Sequence, residues 1–273
     1  MLVSALIPSF LEKERLFNII NMILKDKLSR YIKKIVIVTP DNVELPRSRK
    51  ILVVKERERK GKSYAIRLGL KHINTPLILL LTSDIRMRKN FLQYLLPHLK
   101  DPKIGAVVGR PLADKNSKMY KFSKIIWDLH HLLCIHQPKG TEIMLFRKTF
   151  KNFPIVSADE VYIEYEIRKA GYRIVYEPRA YGYTKSPYTL LHFLRQRRRS
   201  FNGHLEIREK YKFKTSSMKI NLILKVMLEY IRREHSLKTI LNLLIVSLIE
   251  ILARTCALLD AMRRKYEIIW ERA

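Results

Sequence analysis

The sequence predicts an α/β fold: a Rossmann-like, mostly parallel sheet with helices on both faces, followed by C-terminal amphipathic helices. Three observations carry this reading. Short β-branched runs in the first 110 or so residues are apolar almost throughout, as strands buried on both faces are. Amphipathic helical stretches separate them, which is the alternation of βα units rather than of hairpins. From Pro187 onward the chain turns Gly-poor, basic and helical in pattern.

In chain order, "LVSALIP" reads as the first strand and "KERLFNIINMILKD" as the first helix, its apolar residues falling on one face. Strands follow at "KKIVIVTP" and "KILVVK", a helix at "KSYAIRLGLKHI", and strands at "LILLLTSD" and "IGAVVGR". The spacing then predicts a helix near Met119 to Ile135, a strand near Thr141 to Arg147, a helix near Asp159 to Ala170 and a strand at "YRIVYEP". No internal repeat or low-complexity linker interrupts this order. A boundary near Ser186 divides residues 1–186, a catalytic-type α/β domain, from residues 187–273, a basic helical region.

The chain has 273 residues, 47% of them hydrophobic, enough to bury a sizeable core. Its 54 Lys and Arg against 25 Asp and Glu give a formal charge of +29, which calls for a polyanionic partner: nucleic acid, anionic lipid or a sugar nucleotide. Cys134 and Cys256 lie far apart among apolar neighbours, so they build neither a disulfide framework nor a metal site, and a reducing compartment fits.

In open α/β sheets ligands bind beyond the carboxyl ends of the strands. Pro8, Asp41 and Asp84 all fall at such ends. Asp84 closes an apolar run, and an isolated acid there is either a metal ligand or a turn and helix-capping residue. "KGKSYA" places Lys62 at a helix start, a position suited to an anion. Asp159 and Glu160 open another helix, where a carboxylate serves as a general base or simply complements the helix dipole. "QRRRSFNG" offers guanidinium groups that fork onto phosphate oxygens, or a plain basic helical face.

Taken in order, "ALIPSFLEKERL", "VIVTPD", "KGKSYAIRLGL", "LLLTSDIRMRKNFL", "GAVVGR", "SADEVYIEYEIRKAGYR" and "QRRRSFNG" resemble the inverting GT-A glycosyltransferases of family 2, which include polyprenyl-phosphate sugar transferases and cellulose and hyaluronan synthases. The resemblance spans roughly residues 2 to 204. It implies a nucleoside diphosphate sugar donor, with Pro8 and Glu12 flanking the base and ribose, Asp41 contacting the base, and Lys62, Gln196 and Arg199 at the diphosphate. It implies that Asp84 is the second acid of a D-x-D motif holding Mg²⁺ or Mn²⁺. The first acid of that motif is replaced by Thr82, so the site carries one carboxylate where relatives carry two. The catalytic base falls at Asp159 or Glu160: the register counted from Gly171 gives Glu160, and side-chain length favours Asp159. Gln196 and Arg199 match a Q-x-x-R-W motif whose Trp is Ser200 here, a departure from the processive synthases.

Between Lys185 and Glu234 there are 13 Lys and Arg against 4 Glu, mixed with Leu, Ile and Met at helical spacing, as in helices lying on an anionic membrane surface. Residues 239–262 are long enough to cross a bilayer, but they carry Glu250, Arg254 and Asp260. The expectation is a monotopic or re-entrant helix at the cytoplasmic face of the cell membrane, with a single span and a buried soluble helix as alternatives. The acceptor is then lipid-linked or otherwise amphiphilic. Two readings from other classes compete: a basic nucleic-acid-binding protein, which lacks any recognisable RNA-binding or zinc-ligand motif, and an inactive glycosyltransferase-like scaffold. The preferred reading excludes nucleic acid as the partner.

Overall fold

The computed structural model describes residues 1–234 and 236–269. Its elements run β1 (Val3–Pro8), α1 (Lys13–Leu24), β2 (Ile32–Thr39), β3 (Ile51–Lys55), α2 (Lys62–Leu70), β4 (Leu77–Leu81), β5 (Arg86–Met87) and α3 (Leu92–Leu95). There follow β6 (Ile104–Ala113), α4 (Tyr120–His136), β7 (Ile143–Arg147), α5 (Asp159–Lys169), β8 (Arg173–Thr184), α6 (Leu190–Tyr211), α7 (Ile220–Arg233) and α8 (Leu237–Met262). The chain divides into two compact units. One holds residues 1–111, 140–155 and 163–184, and the other holds 112–139, 156–162 and 185–273.

The first unit is built on an eight-stranded sheet in the order β3-β2-β1-β4-β7-β6-β8-β5. Strands β3, β2, β1 and β4 are parallel, as their continuous apolar runs require. Beyond β4 the pairing turns antiparallel, with β7 against both β4 and β6, and β5 against β8. Parallel pairing therefore holds over the N-terminal half only. Strand β8 also runs on past Pro178 to Thr184, where "AYGYT" alternates buried and half-buried positions. The core of this unit joins Ile7, Ile35, Leu79 and Leu145 of the sheet to Leu16, Ile20 and Ile23 of α1.

The second unit is helical. Ile125, Leu132 and Leu133 of α4 pack with Val226 and Tyr230 of α7 and with Leu243 and Val246 of α8. The buried positions of α8 (Leu243, Val246, Ile249, Ala253 and Ala257) recur every three or four residues and form one stripe. The opposite stripe is bare: Leu237, Leu248 and Ile251 are 72%, 68% and 63% exposed. On α7, Ile220, Leu224 and Leu228 form a similar uncovered row.

Candidate functional site

Five of the sequence-predicted residues share the carboxyl edge of the parallel strands. Pro8 ends β1 and sits opposite Val38 of β2, and the next residue, Ser9, donates its N–H to the Val38 carbonyl at 2.9 Å. Asp41 follows β2, and its Oδ2 accepts the Leu11 N–H at 2.5 Å. Leu11 has φ 55°, a left-handed conformation that a non-glycine residue adopts at a cost, so this carboxylate fixes the loop between β1 and α1. Glu12, half-buried, sits at the N-cap of α1, where its carbonyl accepts the Leu16 N–H at 2.8 Å.

Asp84 lies just beyond β4, half-buried, and its backbone carbonyl accepts a hydrogen bond from Arg15 Nη1 at 2.5 Å. The first turn of α1 thus holds the end of β4 in place. Thr82, at the position of the missing acid, has a buried hydroxyl with no hydrogen-bond partner among the described residues. Lys62 is the first residue of α2, after Gly61 at φ 95°, a backbone conformation open to glycine. The preceding loop is tied to the same edge, because the Glu56 N–H donates to the Thr39 carbonyl at 3.0 Å and the Arg59 guanidinium lies 4.1 Å over the Phe10 ring.

A divalent cation fits these residues as an oxygen-ligand site. Among the described residues, no three His, Cys, Asp or Glu side chains gather closely enough to hold an ion unaided. The Asp84 carboxylate and the orphaned Thr82 hydroxyl, two residues apart at one strand end, are hard oxygens of the kind that would hold Mg²⁺ or Mn²⁺, ions that fill the rest of their shell with phosphate and water.

The other sequence-predicted residues belong to the helical unit. Asp159 and Glu160 open α5; Asp159 is 1% exposed and Glu160 half-buried. The entry to α5 is anchored from α6, where Glu206 Oε2 accepts the Ser157 N–H at 2.7 Å and is itself held by Lys210 Nζ at 2.6 Å. Gln196 points to solvent, and Arg199 is half-buried.

The three consecutive arginines divide their work. Arg197 pairs with Glu250, which also takes Arg254 Nε at 3.3 Å, while Arg198 forks onto both oxygens of Asp260 at 2.6 Å. These pairs fasten α6 to α8. The Glu250–Arg254 pair has the i,i+4 spacing that a sequence displays, whereas the partners of Arg197 and Arg198 lie 53 and 62 residues away.

A family model described as glycosyl transferase family 2 matches residues 4–169. The poly-beta-1,6-N-acetyl-D-glucosamine synthase of Staphylococcus aureus (strain COL) is 24% identical over 230 residues, which cover 75% of this chain and 55% of that protein. The chain spans about half the length of the curated relatives it matches. Among solved structures, the mannosyltransferase PcManGT from Pyrobaculum calidifontis, in complex with GDP-Man and Mn²⁺, superposes with a TM-score of 0.62 at 15% identity, covering 96% of this chain and 87% of that one. Glucosyl-3-phosphoglycerate synthase from Mycobacterium tuberculosis, in complex with Mn²⁺, UDP and glucosyl-3-phosphoglycerate, gives 0.50 at 12% identity, covering 75% and 79%. At these identities the structural likeness is one of fold.

Proposed function

The chain belongs to glycosyl transferase family 2, and from that premise we propose that it moves a sugar from a nucleoside diphosphate sugar, with inversion, to a lipid-linked or similarly amphiphilic acceptor. The observation that carries this reading is the gathering of Pro8, Glu12, Asp41, Lys62 and Asp84 at the carboxyl edge of the parallel strands. Relatives solved with GDP-Man and Mn²⁺, or with UDP and Mn²⁺, support a donor of this class and a divalent cation.

In this reading Pro8, Glu12 and Asp41 flank the nucleoside. Lys62, Gln196 and Arg199 receive the diphosphate, and Asp84 with Thr82 holds Mg²⁺ or Mn²⁺. The ion, when bound, neutralises charge on the departing diphosphate. Glu160 takes the proton of the acceptor hydroxyl, whose oxygen bonds to the anomeric carbon as the bond to the diphosphate breaks and the electron pair leaves with it. Its half-buried carboxylate is reachable by an acceptor, whereas Asp159 is enclosed and orders the helix entry.

Residues 1–186 serve as the catalytic domain and residues 187–273 as the membrane-associating region at the cytoplasmic face. The bare apolar rows of α7 and α8, bordered by Lys225, Arg232, Arg233 and Lys238, suit helices lying in the plane of an anionic interface. A span is disfavoured on energetic grounds. Glu250 sits near the middle of a 26-residue helix of roughly 39 Å, so crossing would carry the Arg197–Glu250 pair and the polar α6 into hydrocarbon.

Calorimetry with GDP and UDP, with and without Mn²⁺, tests the assignment. Binding that depends on Mn²⁺ in the native chain and loses that dependence in Asp84→Ala is the expected result. Metal-dependent binding left intact in the variant contradicts it.

A further inference from the structure

The loop that follows β1 reaches both neighbouring strand ends. β1 lies between β2 and β4 in the sheet, and beyond Pro8 the chain turns into α1. On the β2 side the Ser9 N–H donates to the Val38 carbonyl at 2.9 Å, and the Leu11 N–H donates to Asp41 Oδ2 at 2.5 Å. On the β4 side Arg15 Nη1 donates to the Asp84 carbonyl at 2.5 Å, across 69 residues of sequence. A cation in the first turn of a helix opposes the helix dipole, so local preference does not account for Arg15 at that place in α1.

The acid that Arg15 holds sits on a short turn. Leu81 and Ile85, both buried, bracket it, and the Ile85 N–H closes the turn on the Thr82 carbonyl at 3.4 Å. That distance exceeds the ordinary range for an N–H to oxygen bond, so the turn's own closure is weak. The charge-assisted bond from Arg15 is the stronger restraint. A part-buried carbonyl deprived of its donor reorients or admits water, and rotation of the peptide after Asp84 carries the side chain with it. With Thr82 in place of a second acid, the hold on a cation depends on where this one carboxylate stands.

We infer that Arg15 is a positioning residue for the cation. By fixing the Asp84 backbone it sets the place of the carboxylate, while Asp41, through the left-handed Leu11, fixes the start of the helix that carries Arg15. The inference rests on the function proposed above, in which Asp84 holds Mg²⁺ or Mn²⁺, and adds to it a residue that acts through the Asp84 backbone rather than on the ion. Partners that orient a metal ligand govern affinity nearly as strongly as the ligand itself.

Mn²⁺ titration of the full chain in the presence of GDP or UDP reads the effect, and amide hydrogen exchange of residues 82–87 without ligand reads the restraint itself. Arg15→Met keeps an apolar stem and a good helix former and removes the donor. It should weaken Mn²⁺ binding about tenfold or more while metal-free nucleotide affinity changes by about twofold at most, and residues 82–87 should exchange faster. Arg15→Lys retains a donor and the charge, and should recover most of both. Loss of a positive charge near the ion would by itself tighten Mn²⁺ binding, so weakening reports position rather than charge. Unchanged or tighter Mn²⁺ binding in Arg15→Met overturns the inference. So does an equal loss of metal-free nucleotide binding, which would make Arg15 a ligand of the nucleotide. A native chain that binds neither nucleotide with Mn²⁺ contradicts the proposed function instead, and exchange then decides the restraint: equal rates at residues 82–87 in the native and Arg15→Met chains overturn it.

Discussion

Gly203 of α6 lies so close to Ala158, the residue before Asp159, that a Cβ on Gly203 would stand 2.9 Å from the Ala158 Cβ and 3.2 Å from its backbone nitrogen. The helix carrying the arginine motif and the turn that delivers the paired acids are therefore in van der Waals contact through a hydrogen atom. Helix propensity alone favours Gly203→Ala by about 1 kcal/mol, whereas overpacking against backbone costs about 1–3 kcal/mol. The second effect wins. The variant should be less stable by about 1 kcal/mol, and sugar transfer should fall while Mn²⁺-dependent nucleotide binding persists. Denaturant unfolding and calorimetry on the same protein check both halves.

Thr82→Asp should tighten Mn²⁺ binding by roughly tenfold, because a second carboxylate beside Asp84 joins the ligand set. Titration with Mn²⁺ in the presence of GDP or UDP reads this directly. Unchanged affinity would mean that Thr82 does not face the ion.

Glu177 of β8 supplies a pH-dependent part of the stability. The Arg179 guanidinium, bonded to it at 2.7 and 2.8 Å, outweighs burial and, with His98 Nε2 at 3.0 Å, lowers its pKa from 4.5 to about 2. The folded state then binds fewer protons than the unfolded chain between these values. The stabilisation is complete above about pH 4.5 and is lost as pH falls towards about 2. Arg179 is largely exposed, so the screened contribution is about 1–2 kcal/mol. Denaturant unfolding from about pH 5 to about pH 3 should show the native chain losing that much more than Glu177→Gln.

Membrane association should depend on the bare row of α8 rather than on the presence of the helix. Removing α8 would strip Arg197 and Arg198 of their partners and open the helical core, so truncation would confuse folding with binding. Leu241→Ser, Leu248→Ser and Ile251→Ser together touch exposed positions only. Sedimentation with anionic vesicles should drop by about tenfold or more for this triple variant, given the apolar area lost. Equal sedimentation of variant and native chain would remove α8 from the interface.

The parallel half of the sheet was legible because strands buried on both faces leave continuous apolar runs, as in "LVSALIP" and "LILLL". The antiparallel half was not, since strand direction follows from where β7 inserts between β4 and β6, and no local pattern records that. Pro178 reads as a strand end, yet β8 passes through it. That Asp84 follows a strand and that Lys62 and the Asp159–Glu160 pair open helices was legible from residue pattern. The contacts of Arg197, Arg198 and Gly203 were not, because each depends on a partner that only the packed helices reveal.

The claim that the acids opening α5 carry the chemical step is tested most directly by turnover at saturating donor and acceptor in Glu160→Gln and Asp159→Asn, with nucleotide binding measured in parallel. An amide keeps the shape and loses the proton acceptor. Glu160→Gln should lose transfer by about 10²-fold or more while binding nucleotide normally, and Asp159→Asn should lose stability or acceptor affinity more than the chemical step. Near-normal turnover in both variants would contradict the account and move the base to another carboxylate.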